Sequence, residues 1–333
     1  MEVRHYNIPV FIPEIACPHR CVFCNQETIT GIHKAPKAEE VKSLVMSYLS
    51  TINRKNTEIK IAFFGGSFTG LPIEIQEDYL KSIQPLIVGN ITGIRISTRP
   101  DYINFEGLQI LKKYHVSNIE LGAQSMDDEV LRLSGRGHDH KKVLQAAELI
   151  KSQGFQLGLQ MMIGLPGDSF EKAMETARLI VNAGADETRI YPTLVIKDTV
   201  LEQRWLKGSY QPLTLEEAVR QSSELYKYFE KNKIKILRVG LYPSEELVDN
   251  SGFLAGPFHN SFKELVMSEI WKDILKEIEP KTDKIILKVP VKEFNFANGY
   301  KKSNWHFLKS KFLSVKFIAD TQLKNREFHV DYL

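Results

Sequence analysis

Short apolar runs rich in β-branched residues recur through the first two thirds of the chain. They are 7–13 (NIPVFIP), 59–66 (IKIAFFGG), 93–98 (GIRIST), 118–125 (NIELGAQS), 157–164 (LGLQMMIG) and 187–196 (ETRIYPTLVI). Near-continuous apolarity over so few residues predicts strands buried on both faces. Between them, apolar positions recur at helical spacing over 38–51, 72–86, 105–114, 139–153 and 169–182. Asp168 or Ser169 is placed to cap the last of these, which stops at Gly184. Six strand-then-helix units imply parallel strands joined by right-handed crossovers. Six falls short of a closed eightfold barrel. The expected fold class is therefore α/β, a partial (β/α)6 TIM-like barrel with a small C-terminal α+β appendage, and its site is expected at the C-terminal strand ends.

The remaining pattern is looser. A helix is predicted over 215–232, a seventh strand-like run over 235–243 (KILRVGLYP), and a turn-rich loop over 249–262 that covers one end of the barrel. A helix over 261–278 and the linker EPKTDK lead to strand 285–291, helix 303–312 and strand 314–319. The division expected is a core of 1–245, a covering loop and helix of 246–280, and a strand–helix–strand appendage of 281–333.

The composition, 43% apolar and 26% charged, supports a sizeable core and excludes disordered or fibrous classes. No run of 18 apolar residues occurs, and the N-terminus lacks a signal peptide's basic start and long apolar stretch, so no membrane association and a cytoplasmic location are expected. The net charge of +3 is uneven. Residues 281–333 hold eleven Lys/Arg against five Asp/Glu, or +6, and the remainder carries 33 against 36, or −3. A basic tail suits either an anionic partner such as RNA or a plain lysine-rich surface. A turn at Asn298–Gly299 would place Lys301, Lys302 and Asn304 at a helix start suited to phosphate, with Trp305 either stacking on a base or anchoring the helix. His259 and His306 read as loop and surface residues.

All three cysteines of the chain, Cys17, Cys21 and Cys24, lie in CPHRCVFC, with C-x3-C-x2-C spacing just after the first strand. Three clustered thiolates repel and oxidise unless a cation holds them, so a metal is the expected occupant. Structural zinc wants four ligands, and His19 or His33 would have to supply the fourth. An iron–sulfur cubane held by three thiolates would instead keep one iron open to a small molecule.

The cysteine loop with Phe23 before its last cysteine resembles the radical SAM signature. The resemblance continues through Gly65-Gly66-Ser67, ELGAQS, SGRGH, MIGLPGD and RIYPTLVI, covering about residues 7–200. STRPD and IYPTLVIKDT are most similar to the radical SAM core of the Elongator catalytic subunit and its bacterial relatives, although the acetyltransferase domain of those proteins has no counterpart here. GAQS and GRGH are also similar to oxygen-independent coproporphyrinogen oxidase. The resemblance implies a [4Fe–4S] cluster on Cys17, Cys21 and Cys24, S-adenosylmethionine on its fourth iron, reductive cleavage to a 5′-deoxyadenosyl radical, and hydrogen abstraction, with tRNA modification as the nearest activity. It also implies a one-electron donor of flavodoxin or ferredoxin type.

The same resemblance assigns cofactor contacts. Gly65, Gly66 and Ser67 would meet the methionine ammonium, Gln124 the ribose, and Arg136 the methionine carboxylate. Phe23 and the MMIG run, with Ile163, would hold the adenine. Arg99 and Asp101 would contact cofactor or substrate, or pair with each other. Relatives often carry Glu at the position of Ser97 and Asp at that of Gln160, and neither contact is expected here. Two alternative functions remain: a coproporphyrinogen-oxidase-like porphyrin enzyme, which extra Arg and Lys inside the barrel would favour, and a non-catalytic RNA-binding metal protein.

Overall fold

The computed structural model describes residues 3–12, 21–32, 34–242, 245–249 and 251–333. The chain divides into two compact units, one of Met1–Leu213 with Phe229–Phe258 and one of Thr214–Tyr228 with His259–Leu333. The boundary falls within the helix Leu215–Lys231.

The first unit is built on eight strands up to residue 239: β1 Arg4–Ile12, β2 Thr57–Gly65, β3 Ile91–Thr98, β4 Val116–Gln124, β5 Gln156–Ile163, β6 Glu187–Pro192, β7 Val195–Ile196 and β8 Lys235–Val239. Seven of them form one curled parallel sheet in the order β1-β2-β3-β4-β5-β6-β8, the half-barrel expected of a partial TIM barrel. The seventh strand extends the six-strand expectation. Among the described residues Lys235–Val239 pairs on one side only, with β6, which suits its mixed charged and apolar residues at a sheet edge. The crossover helices Ala38–Thr51, Ile73–Ile83, Phe105–Lys113, His140–Ser152 and Phe170–Asn182 fall where the apolar periodicity puts them. The last three start at side-chain caps. Asn104, Asp139 and Ser169 accept from the backbone N–H three residues on, at 2.8, 2.9 and 3.3 Å. Ser169, not Asp168, is thus the cap.

The segment read from sequence as a covering loop contains a short strand, β9 Phe253–Ala255, paired antiparallel with β7. The second unit holds β10 Lys284–Pro290, β11 Ser314–Asp320 and β12 His329–Tyr332 in the order β11-β10-β12. Its core gathers Trp271 and Leu275 of the helix Phe262–Lys276 with Leu287, Val289, Leu308 and Phe312. Here Asn304 is buried and donates to Ser268 O at 2.9 Å, and the Trp305 indole N–H donates to Val315 O at 3.1 Å. Both side chains hold the helix Ser303–Lys309 to its neighbours, so of the two roles open to Trp305 the structure shows the anchor. Lys301 and Lys302 are exposed and lie in the left-handed region, at φ 50° and 62°.

Candidate cofactor site

The cysteine motif follows β1 at the C-terminal edge of the sheet. Cys17, His19 and His33 lie outside the described residues. Cys21 is buried and Cys24 half-buried, and the Cys24 N–H donates to Cys21 O at 3.0 Å, closing a tight turn. Asn25 then caps the helix Gln26–Thr30. Two backbone bonds fasten this turn to distant segments. The Val22 N–H donates to Ser134 O at 3.1 Å, in the SGRGH stretch, and the Leu201 N–H donates to Val22 O at 2.8 Å. Val22 and Phe23 pack with Val130, Met162, Leu165 and Tyr210 in one apolar cluster.

The neighbouring strand ends carry conformations that ordinary residues avoid. Gly65 has φ +105°, and a Cβ there would stand 2.8 Å from Ile12 O. The Gly66 N–H donates to that same oxygen at 2.7 Å, so the glycines let β2 close against the end of β1 where the cysteine loop begins. Gln124 ends β4 at φ +66°, and its Oε1 accepts from Gln160 Nε2 at 3.3 Å. A Cβ on Gly122 would meet Gln124 Nε2 at 2.9 Å, so that glycine makes room for the folded-back amide.

The arginines of SGRGH and STRPD are joined. Arg136 is buried, with Nη1 3.1 Å from Cys21 Sγ and Nη2 donating to Gly122 O, while its Nε has no acceptor among the described residues. Arg99 donates to Asp101 through Nε and Nη2, each at 2.9 Å, and also to the Arg136 carbonyl. Burial alone would raise the Asp101 pKa, but the hydrogen bonds and charge of Arg99 outweigh it and hold the carboxyl below its usual range. Beside them burial, aided by the Arg136 charge, pushes His138 down to about 4, so the imidazole is neutral near pH 7.

A cavity of about 1110 Å³ runs inside the half-barrel, and Cys21, Phe23, Cys24, Gly65, Gly66, Ser67, Arg99, Gln124 and Arg136 all line it. Ile163 does not. It is fully buried, and its carbonyl accepts from the Thr193 N–H and hydroxyl at 2.9 and 2.8 Å, while Met162 takes the place on the wall.

Sequence reading missed the charged lattice deeper in the cavity. Arg95 Nη1 lies 2.5 Å from Glu187 and 3.4 Å from Glu120, and Arg189 Nε lies 2.7 Å from Glu120. Asn118 Nδ2 donates to Glu187 at 3.0 Å, and Lys60 donates to Asn118 at 2.6 Å. The signal was present as single charged residues inside apolar strand runs, in IRIST, NIELG and ETRIY. Such positions face the interior of a curled sheet.

Among the described residues no group of three His, Cys, Asp or Glu side chains is arranged to hold a metal. Two thiols on the cavity wall, a glycine-tight floor beside them and the acceptor-less Arg136 Nε nonetheless fit a thiolate-bound cluster with an anionic small molecule next to it.

The profile of the radical SAM superfamily matches residues 13–180. The chain belongs to the radical SAM superfamily. The superfamily's C-terminal domain matches residues 185–272. Like the radical SAM enzymes it is similar to, this chain is an enzyme, and membership implies a [4Fe–4S] cluster, S-adenosylmethionine and an electron donor. The protein MJ0486 of Methanocaldococcus jannaschii is 33% identical over 227 residues, 62% of this chain and 67% of its own. The tRNA uridine(34) acetyltransferase of Dehalococcoides mccartyi is 25% identical over 239 residues, 62% of this chain and 52% of its own. This radical SAM chain therefore spans about half the length of that acetyltransferase. Among solved structures, archaeal Elp3 of Methanocaldococcus infernus superposes with a TM-score of 0.65 at 21% identity, covering 82% of this chain and 64% of that one, which shows a shared fold. Coproporphyrinogen III oxidase of Escherichia coli shares it more distantly, with a TM-score of 0.50 at 17% identity. Among the described residues no helix is long and apolar enough to cross a membrane.

Proposed function

We propose that this radical SAM enzyme cleaves S-adenosylmethionine reductively and uses the radical to modify RNA, with tRNA as the nearest candidate. The observation that carries the reading is the convergence of Cys21, Cys24, Gly65, Gln124 and Arg136 on one cavity at the C-terminal strand ends. Cys17, Cys21 and Cys24 would hold the cluster. When bound, cluster and S-adenosylmethionine supply one-electron cleavage of the sulfonium to methionine and a 5′-deoxyadenosyl radical, which removes a hydrogen atom from the substrate.

The chain's own part is binding, orientation and exclusion of water. The buried Arg136 places an N–H with no acceptor among the described residues beside the cysteine turn, where a carboxylate would satisfy it. Asp101 holds Arg99, and Arg99 holds the Arg136 main chain, so the guanidinium is positioned before any ligand arrives. Gln124 offers its amide at the wall, and Phe23 and Met162 supply apolar surface. A flavodoxin- or ferredoxin-type protein would deliver the electron. The exposed lysines of residues 281–333 would add sequence-independent attraction for RNA. An RNA substrate is favoured over a porphyrin with several carboxylates because Arg95 and Arg189 inside the barrel are already neutralised by Glu120 and Glu187.

Anaerobic protein reconstituted with iron and sulfide, then given dithionite and S-adenosylmethionine, is expected to yield 5′-deoxyadenosine and methionine. No 5′-deoxyadenosine from protein of full iron content overturns the reading. Mass spectrometry of nucleosides from tRNA incubated with the same mixture tests the substrate.

A further inference from the structure

Five arginines line the cavity: Arg95, Arg99, Arg136, Arg189 and Arg238. Three face carboxylates, Arg95 and Arg189 in the lattice and Arg99 on Asp101, and Arg136 is held by Cys21 and Gly122. Arg238 differs. It stands on the edge strand β8, in register with Arg189 of β6. Its Nε donates to Gly240 O at 3.1 Å, and its guanidinium lies 5.1 Å from the ring centroid of Tyr242. Like Arg136 it has no carboxylate partner among the described residues, but Arg136 is buried against the cysteine turn whereas Arg238 is half-buried on the edge strand. Tyr242 lines the same cavity and is 67% exposed, so its ring keeps a face open to a ligand.

Arg238 and Tyr242 already touch, so they present a guanidinium and an aromatic ring side by side. Together, on the rim of a cavity where Arg95, Arg99 and Arg189 are paired with carboxylates and Arg136 faces the cysteine turn, they match a ligand that carries an anion next to a flat ring. A guanidinium keeps two terminal nitrogens for a bidentate anion contact, and an exposed tyrosine accepts a stacked base. With Arg136 assigned to the cofactor, the one remaining arginine without a carboxylate corresponds to one phosphate with its base. A tetrapyrrole with several carboxylates would leave most of its charge unmatched.

Resting on the RNA reading above, we propose that Arg238 and Tyr242 form the subsite for one nucleotide of single-stranded RNA, the guanidinium holding its phosphate and the ring stacking its base. The subsite sits on the opposite edge of the sheet from β1 and the cysteine loop, so a bound nucleotide would enter through the lateral opening of the half-barrel.

The test is fluorescence anisotropy of reconstituted full-length protein with a labelled anticodon stem–loop RNA, with a fully paired RNA duplex and coproporphyrin III as comparison probes. Tyr242→Ala is expected to weaken stem–loop binding roughly 5- to 150-fold, the range for one stacked base, and Tyr242→Phe to restore most of it. Arg238→Ala is expected to lower the slope of log affinity against log salt by about 0.7. Duplex binding should change little in either variant. Iron content and thermal midpoint serve as fold controls, and the exposure of Tyr242 makes its truncation harmless to the core. Normal stem–loop binding by both variants overturns the subsite and leaves the RNA reading standing. Equal losses on duplex and stem–loop overturn it too, showing general charge attraction. Wild-type protein that ignores the stem–loop but binds coproporphyrin overturns subsite and RNA reading together, even where 5′-deoxyadenosine still forms.

Discussion

Glu120 is the hinge of the buried lattice, and its neutralisation is the sharpest test of how the half-barrel is held. Its carboxylate is almost fully buried and faces Arg189 at 2.7 Å and Arg95 at 3.4 Å. Gly158 is the neighbour that admits it, since a Cβ there would stand 3.1 Å from Glu120 Cγ. Glu120→Gln keeps the shape and removes the charge. Arg95 retains Glu187 at 2.5 Å, but Arg189 is left with the Tyr191 hydroxyl at 3.2 Å as its remaining polar contact among those described. A buried charge stripped of its partner costs roughly 3–5 kcal/mol. For a unit of this size that corresponds to a fall of about 6–20 °C in thermal midpoint. The same reasoning requires that removing both charges be far milder. Glu120→Leu with Arg189→Met should recover at least half of the loss, because a paired ion and a packed apolar pair differ little in net stability. Differential scanning calorimetry of the wild type, Glu120→Leu, Arg189→Met and the double variant gives the coupling directly, with Glu120→Gln measured beside them as the charge-only change. A Glu120→Gln midpoint within 2 °C of wild type, as a bound on the expected fall, or a double variant as unstable as the sum of its parts, would refute the account.

Cys17→Ala, Cys21→Ala and Cys24→Ala are each expected to abolish iron and sulfide retention and 5′-deoxyadenosine formation, whereas His19→Ala should retain both; cluster loss in the histidine variant would point to four-ligand metal binding. Gly65→Ala, with φ +105° and a Cβ 2.8 Å from Ile12 O, should cost about 1–3 kcal/mol by urea unfolding and lower iron retention, because the displaced strand end carries the cysteine loop. Two groups set opposing pH trends in the apo protein. Burial pushes Asp168 up to about 6 from 3.8, so the native state binds more protons than the unfolded chain between those values, and stability falls as pH rises through them, by about 3 kcal/mol. His138 runs the other way: at about 4 against an ordinary 6.5, the unfolded chain takes the proton first, and stability falls as pH drops from 6.5 toward 4. Asp168→Asn should therefore steepen the acid loss and His138→Gln should flatten or invert it, read as urea midpoints across that range; parallel profiles for both variants would contradict the assignment.

The fold was legible because parallel strands buried on both faces leave no room for polar residues, so runs such as IKIAFFGG stand out from the amphipathic helices around them. The cysteine loop was legible for a different reason: in a chain with no other thiol three clustered ones point to a metal, while the choice between zinc and an iron–sulfur cluster came from the family resemblance. What escaped notice depended on pairing between strands. Arg95, Glu120 and Glu187 each look like an interruption of a strand, and only the register that sets Arg95 beside Asn118 and Glu187 beside Gly158 turns them into a lattice. Lys235–Val239 read as a strand but not as a member of the barrel, since an edge strand lacks the unbroken apolar run of its neighbours. Trp305 carried two roles in sequence, and a single indole N–H to Val315 O separates them. Arg238 is the informative case. In sequence it is one more basic residue near a tyrosine, and it becomes a candidate contact only once three other arginines on the same wall are seen paired with carboxylates and Arg136 is seen against the cysteine turn. The functional content of a charged residue inside a barrel therefore lies less in its identity than in whether its neighbours leave it a counter-ion, a property fixed by three-dimensional pairing and testable residue by residue.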